Sequence, residues 1–165
     1  MRRRHFFLLV ANLMLASGVF AETPVGSDAI SGKWTYRSFH NRAALIDGDA
    51  QKALDLIFAE AVFTFEVTGP TTLKGRLDWQ GGGLDLQGTI EPASGHAPLS
   101  VAIVGTGRPN SQTTGWEYDY RASLAYQWPN GVDQVPALVG TVIRAKPHNG
   151  EAAGYVASFI AVKQL

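Results

Sequence analysis

Hydrophobic and polar residues alternate along most of the chain from Gly32 onward, and the alternation is longest between Gly115 and Trp128. There the even positions run Trp116, Tyr118, Tyr120, Ala122, Leu124, Tyr126 and Trp128. The odd positions carry Glu117, Asp119, Arg121, Ser123, Ala125 and Gln127. Successive side chains of a strand point to opposite faces, so this period of two predicts a ribbon with an aromatic side and a polar side. It holds two of the four tryptophans and three of the five tyrosines.

The same grammar recurs on both sides of this ribbon. Gly32–Phe39 is a first strand with Trp34, Tyr36 and Ser38 on one face and Lys33, Thr35 and Arg37 on the other. Glu60–Thr68 places Phe63, Phe65 and Val67 together, and Thr71–Trp79 sets Leu73, Leu77 and Trp79 against Lys74, Arg76 and Asp78. Leu84–Glu91, Leu99–Gly107, Ala137–Lys146 and Gly154–Lys163 complete the set. Gly69-Pro70, Gly81-Gly82-Gly83 and the Asn130-Gly131 pair supply turn chemistry between them. The period changes only after the first strand, where Asp47-Gly48-Asp49 offers a helix cap. Ala53, Leu54, Leu56 and Ile57 then lie near helical spacing and predict a short helix over Ala50–Ile57, a lid or plug for one end of the fold.

Eight short strands with mostly hairpin-length links predict an all-β fold. The expected form is a single eight-stranded antiparallel up-and-down barrel over residues 32–165, with one short helix after strand 1. Gly75, Gly88, Gly105 and Gly140 lie inside four of the strands, where glycine marks the bends that let a sheet curl. Residues 22–31, with Pro24, Gly26 and Ser27, read as a loose leader.

Residues 1–21 have the grammar of a secretory signal peptide. Arg2, Arg3 and Arg4 precede an apolar run from Phe6 to Leu15, and Val19-Phe20-Ala21 has the small-residue form of a cleavage site. The predicted location is periplasmic or secreted by the general secretory route. Arg3-Arg4-His5-Phe6-Phe7 keeps a twin-arginine route as the alternative. The whole chain of 165 residues has 14 Lys+Arg and 14 Asp+Glu; cleavage after Ala21 leaves about three net negative charges. Such a balance, without a basic run, gives no electrostatic reason to expect nucleic acid, and no membrane-embedded segment is expected after cleavage. The chain has no cysteine, which excludes thiolate catalysis, zinc–thiolate and iron–sulfur sites and a lipid-modified cysteine.

Ile30-Ser31-Gly32-Lys33-Trp34 resembles the G-x-W signature that opens the first strand of calycins, the superfamily of lipocalins and avidins. Ser-Gly-Lys-Trp-Thr is similar to the avidin opening, and Gly115-Trp116 to the start of a later avidin strand. The tryptophan pattern of later avidin strands is missing, and the segment after strand 1 is longer than in avidins. The resemblance implies a barrel with a small-molecule cavity, without naming the ligand. Arg144 and Lys163 are the cations available to pack over Trp34.

The aromatic row makes Trp34, Tyr36, Trp116, Tyr118, Tyr120, Tyr126 and Trp128 candidates for lining that cavity, since buried Tyr and Trp seek partners for their O–H and N–H. The alternative is that they fill the barrel, whose interior at eight strands is only wide enough for side chains or one small ligand. His40-Asn41-Arg42 follows strand 1, and Arg42 there is suited to a carboxylate or phosphate; the alternative is a solvated loop. His96 and His148 lie far apart without a metal-ligand spacing, so no metal is expected. Glu117, Asp119 and Arg121 belong to the polar face of the aromatic ribbon, with solvent as their expected surroundings. No nucleophile elbow, phosphate-binding loop or dinucleotide fingerprint is present.

These observations point to an exported, non-catalytic barrel that binds a small, partly apolar molecule through Trp34, Tyr36, His40, Arg42, Trp116, Tyr118, Tyr120 and Tyr126, without a cofactor. Two alternatives stay open. One is an enzyme on the same barrel (isomerase, cyclase or hydrolase) that uses His40 or an interior acid. The other is a structural module forming homo-oligomers through Leu99–Thr106, which is apolar on both faces.

Overall fold

The computed structural model describes residues 26–43, 46–128 and 130–165. The signal-peptide reading and the start of the leader lie outside the described residues. Eight antiparallel strands form a closed barrel in sequence order: β1 (Gly32–His40), β2 (Ile57–Gly69), β3 (Thr72–Trp79), β4 (Gly82–Glu91), β5 (Ser100–Gly107), β6 (Glu117–Leu124), β7 (Ala137–Arg144) and β8 (Val156–Lys163). Closure is between β1 and β8, with Trp34 opposite Lys163 and His40 opposite Ala157. Every strand therefore has two partners, and the sheet has no free edge.

The inward face follows the predicted period of two. Trp34, Tyr36 and Ser38 of β1, Phe63 and Phe65 of β2, Leu84, Leu86 and Ile90 of β4, and Tyr118, Tyr120, Ala122 and Leu124 of β6 are all buried. On β5, Val101 and Ile103 point in, whereas Val104 faces out and is exposed. The interior glycines let neighbouring strands close in. A Cβ on Gly75 would lie 2.2 Å from the Thr64 carbonyl oxygen, and one on Gly140 would lie 2.0 Å from that of Arg121. At these two positions the missing side chain is what permits the curl.

One end of the barrel is closed. Ser27–Ile30 forms a 3-10 turn at the foot of β1 rather than a loose leader, because Ile30 has a core to enter and is fully buried. The Trp34 indole Nε1–H donates to the Ile30 carbonyl at 2.8 Å. Lys163 covers the same ring, its Nζ 5.5 Å from the ring centroid and donating to the Ala29 carbonyl at 2.8 Å. Of the two cations available to Trp34, Lys163 takes the place, and Arg144 stands at the other end of the barrel.

Three local readings need correction. The helix, α1, spans only Ala50–Leu54, capped by the Asp49 carboxylate on the amides of Gln51 and Lys52. Ile57 is drawn into the ladder opposite Phe39, so strand pairing takes the residues that the periodicity assigned to a helix. The helix buries no side chain and leaves Leu54 exposed, so it plugs nothing. The aromatic ribbon is also shorter than its alternation: β6 stops at Leu124, where β7 ceases to offer a partner beyond Ala137. Tyr126 and Trp128, 62% and 70% exposed, pack against each other outside the barrel wall. The described residues of the link that carries them, 125–128 and 130–136, form a loop and not a tight Asn-Gly hairpin. It is held by Gln134, whose side chain bonds both backbone groups of Trp128.

Candidate functional site

The links β1–β2, β3–β4, β5–β6 and β7–β8 gather at the end opposite Trp34, and there the interior is not filled. A cavity of about 380 Å³ opens between Tyr36, Phe58, Ala61, Leu77, Trp79, Leu84, Trp116, Tyr118, Tyr120, Val142, Arg144 and His148. This lies within the range of small-molecule sites. Two further hollows lie on the outside of the sheet, beside Gly75 and beside Gly140; both are open troughs of the curled wall.

The floor is aromatic. Tyr36 packs edge-on to Phe63 at 4.9 Å and to Tyr120 at 6.2 Å, and Tyr120 packs edge-on to Phe159 at 6.1 Å. Burial holds the phenols of Tyr36, Tyr118 and Tyr120 above the ordinary tyrosine value. Their mutual proximity adds to the rise at Tyr36 and Tyr120; the Ser38 hydroxyl opposes it at Tyr36, and Arg144 opposes it at Tyr118. All three stay protonated at neutral pH.

The rim is set by specific backbone devices. In the β5–β6 link, the buried Thr113 hydroxyl donates to the Gly83 carbonyl at 2.8 Å, and the Trp116 amide donates to the Thr113 carbonyl at 3.0 Å. Arg108 ties this link to Asp78 and Asp85 at 2.8 and 3.0 Å. Trp116 is thereby held at the mouth, its ring plane within 12° of that of His148 at a centroid distance of 4.0 Å. His148 in turn is placed by the paired backbone bonds between His148 and Glu151. On the other side, the register of β1 against β2 slips after Ser38, leaving Phe58 as an extra residue. Such a bulge re-aims a side chain, and Phe58 lines the cavity.

Arg144 and His148 supply the polar chemistry. Arg144 ends the inward face of β7 with its side chain only 8% exposed. Its Nη1 donates to the Ala152 carbonyl at 3.1 Å and reaches Glu151 Oε2 at 3.5 Å, while its Nε is buried without a partner. The guanidinium lies 5.6 Å from the Tyr155 ring centroid. His148 Nε2 meets the Tyr118 hydroxyl at 2.8 Å, and its Nδ1 is a second buried atom without a partner. Burial first, then the Arg144 charge, lowers the His148 pKa, against the opposing pull of Glu151.

A pH dependence follows. An unfolded histidine takes its proton near pH 6.5, whereas folded His148 resists it, so the unfolded state binds more protons as the pH falls below that value. Stability should drop from about pH 6.5 downward, through the folded pKa. Chemical denaturation at a series of pH values, compared with His148→Gln, measures this; the variant should show a shallower loss.

Four predicted site residues converge here: Tyr36, Trp116, Tyr118 and Tyr120. The others do not. Trp34 is sealed in the closed end, and Tyr126 lies outside the wall at that same end. Arg42 is exposed and donates to the Asp55 carbonyl at 2.6 Å, clamping the β1–β2 link. His40 sits half-buried at the rim, its Nδ1 bonded to the Tyr155 hydroxyl and its ring 5.3 Å from Phe58. It meets no interior acid. Glu60 contributes to the wall, but its carboxylate turns outward to Arg37 at 2.6 Å. Phe58, Trp79, Arg144 and His148 were not predicted as lining. Arg144 carried a usable signal, since it continues the inward parity of Leu138, Gly140 and Val142. Among the described residues, no three His, Asp or Glu side chains gather as a metal site, and no helix is long and apolar enough to cross a membrane.

The architecture and its cavity define the class: a closed eight-stranded antiparallel barrel with an aromatic hollow at one end. No family model, curated protein or solved structure matches the chain.

Proposed function

We propose that this chain is an exported, non-catalytic binding protein whose barrel holds a small, partly apolar molecule. The carrying observation is the aromatic cavity at the open end, with tyrosine hydroxyls on its floor and a charged group at its rim. Apolar walls supply the transfer free energy, and a few fixed polar groups set orientation. The Gly32-Lys33-Trp34 opening, packed under a cation as the calycin resemblance implies, supports kinship with that superfamily. The arginine-led apolar run of residues 1–21 supports the periplasm or the exterior as the place of action.

N-phenyl-1-naphthylamine, an uncharged aromatic dye, is a direct probe. At a hundredfold excess over its Kd, one bound molecule adds about 2.7 kcal/mol. That raises the melting temperature by about 5–10 °C in a chain of this size. An unchanged melting temperature, with no rise in dye fluorescence, contradicts the reading.

A catalytic reading of the same barrel is favoured by one contact, His148 Nε2 with the Tyr118 hydroxyl, which would suit proton transfer. It requires that a bound molecule be chemically altered. Recovery of every ligand unchanged after prolonged incubation argues against it.

A further inference from the structure

We infer that the molecule held in this cavity is an organic anion, its acidic group taken by Arg144 and its apolar body lying over Tyr36, Tyr120 and Phe58. The inference rests on the cavity being a ligand site and adds the chemical class of the ligand.

The argument begins with charge. A buried guanidinium needs a counter-charge or a full set of acceptors. Arg144 is enclosed, yet its only carboxylate neighbour among the described residues, Glu151, is 3.5 Å away and 69% exposed. Glu60, the acidic residue of the cavity wall, turns its carboxylate outward to Arg37. The hollow therefore contains a fixed positive charge without a matching acid inside it. The hydrogen-bond inventory agrees. Of the five N–H donors on a guanidinium, Nη1 serves Ala152 and Glu151, and Nε is buried without an acceptor.

The neighbours bring no negative charge: Tyr118 and His148 are both uncharged at neutral pH and share one hydrogen bond between them. Tyr118 remains a protonated phenol, and the second ring nitrogen of His148 is unpartnered. A carboxylate or sulfonate presents two or three acceptor oxygens and a negative charge, which answers the uncompensated charge of Arg144. A neutral alcohol or amide would leave the charge uncompensated. The remaining walls, formed by Phe58, Leu77, Leu84 and Val142, offer no bonding and suit a ring or short chain.

The test compares two dyes with the same aromatic body, the neutral N-phenyl-1-naphthylamine and the anionic 1-anilinonaphthalene-8-sulfonate, by fluorescence titration on the whole protein. A charge-assisted hydrogen bond predicts that the sulfonate binds about ten- to a hundredfold more tightly than the neutral dye. In Arg144→Met that preference should vanish while the neutral dye still binds. Should Arg144→Met fail to fold, as judged by circular dichroism, Arg144→Gln serves for the same comparison. A sulfonate that binds no tighter than the neutral dye, or a preference that survives loss of Arg144, overturns the acidic ligand and leaves the binding function standing. Failure of both dyes to bind removes the cavity reading itself, and this inference with it.

Discussion

Trp34→Ala should destabilise the protein by about 3–5 kcal/mol, the usual cost of deleting a large buried aromatic. Trp34 has no solvent exposure, stands opposite both Phe63 and Lys163, and donates its indole N–H to Ile30. Its removal would empty the closed end, orphan the Ile30 carbonyl and leave Lys163 without the ring it covers. A domain of this kind has about 5–15 kcal/mol in total, so roughly a fifth or more of its stability is at stake. Urea denaturation of Trp34→Ala and Trp34→Phe measures this; the phenylalanine variant should recover much of the packing but not the hydrogen bond. A loss below about 1 kcal/mol in the alanine variant would mean that the closed end is not the anchor of the barrel.

The second large effect belongs to the curl of the wall. A methyl on Gly140 would meet the Arg121 carbonyl oxygen at 2.0 Å and the Ala122 Cα at 2.7 Å. These are backbone atoms of a paired strand, so relief requires β6 and β7 to separate. Gly140→Ala should cost about 3 kcal/mol, at the upper end of overpacking penalties. Gly105→Ala is the control. There the contacts are 3.0–3.1 Å, to the tips of Leu84, Leu86 and Tyr120, which can shift. It should cost about 1 kcal/mol, at the lower end of the same range. Equal losses at the two sites would refute the claim that close strand approach, rather than glycine content, shapes the wall.

Much of this barrel was legible in the chain because one face of each strand is buried, and burial stamps a period of two on the sequence. Gly32–Phe39 and Thr71–Trp79 announced themselves in that way, as did the inward row of Tyr118 and Tyr120. The same signal misled at Tyr126 and Trp128. Alternation records which way a side chain would point in a strand, and does not record where the partner strand ends. Helical spacing failed over Asp55–Ile57 for a related reason, since pairing with β1 outweighed a weak local preference.

The candidate site was half legible. Tyr36, Trp116, Tyr118 and Tyr120 lie on strands or at a strand's start, and parity placed them. His148 sits in a loop positioned by its own backbone pairing with Glu151, which leaves no periodic trace. Phe58 reaches the cavity through a bulge, which breaks the period instead of following it. Arg42 looked functional from composition alone, yet its guanidinium is engaged by the Asp55 carbonyl.

Binding inside the barrel is the central claim, and filling the cavity tests it most directly. Ala61 lines the hollow from β2, and Ala61→Phe would place a ring in the space now empty. With the variant shown by circular dichroism to be folded, N-phenyl-1-naphthylamine should bind the wild type at one molecule per chain and bind Ala61→Phe at least about tenfold more weakly, a difference of about 1.4 kcal/mol. Equal affinity for the two proteins would place the dye outside the barrel and contradict the account.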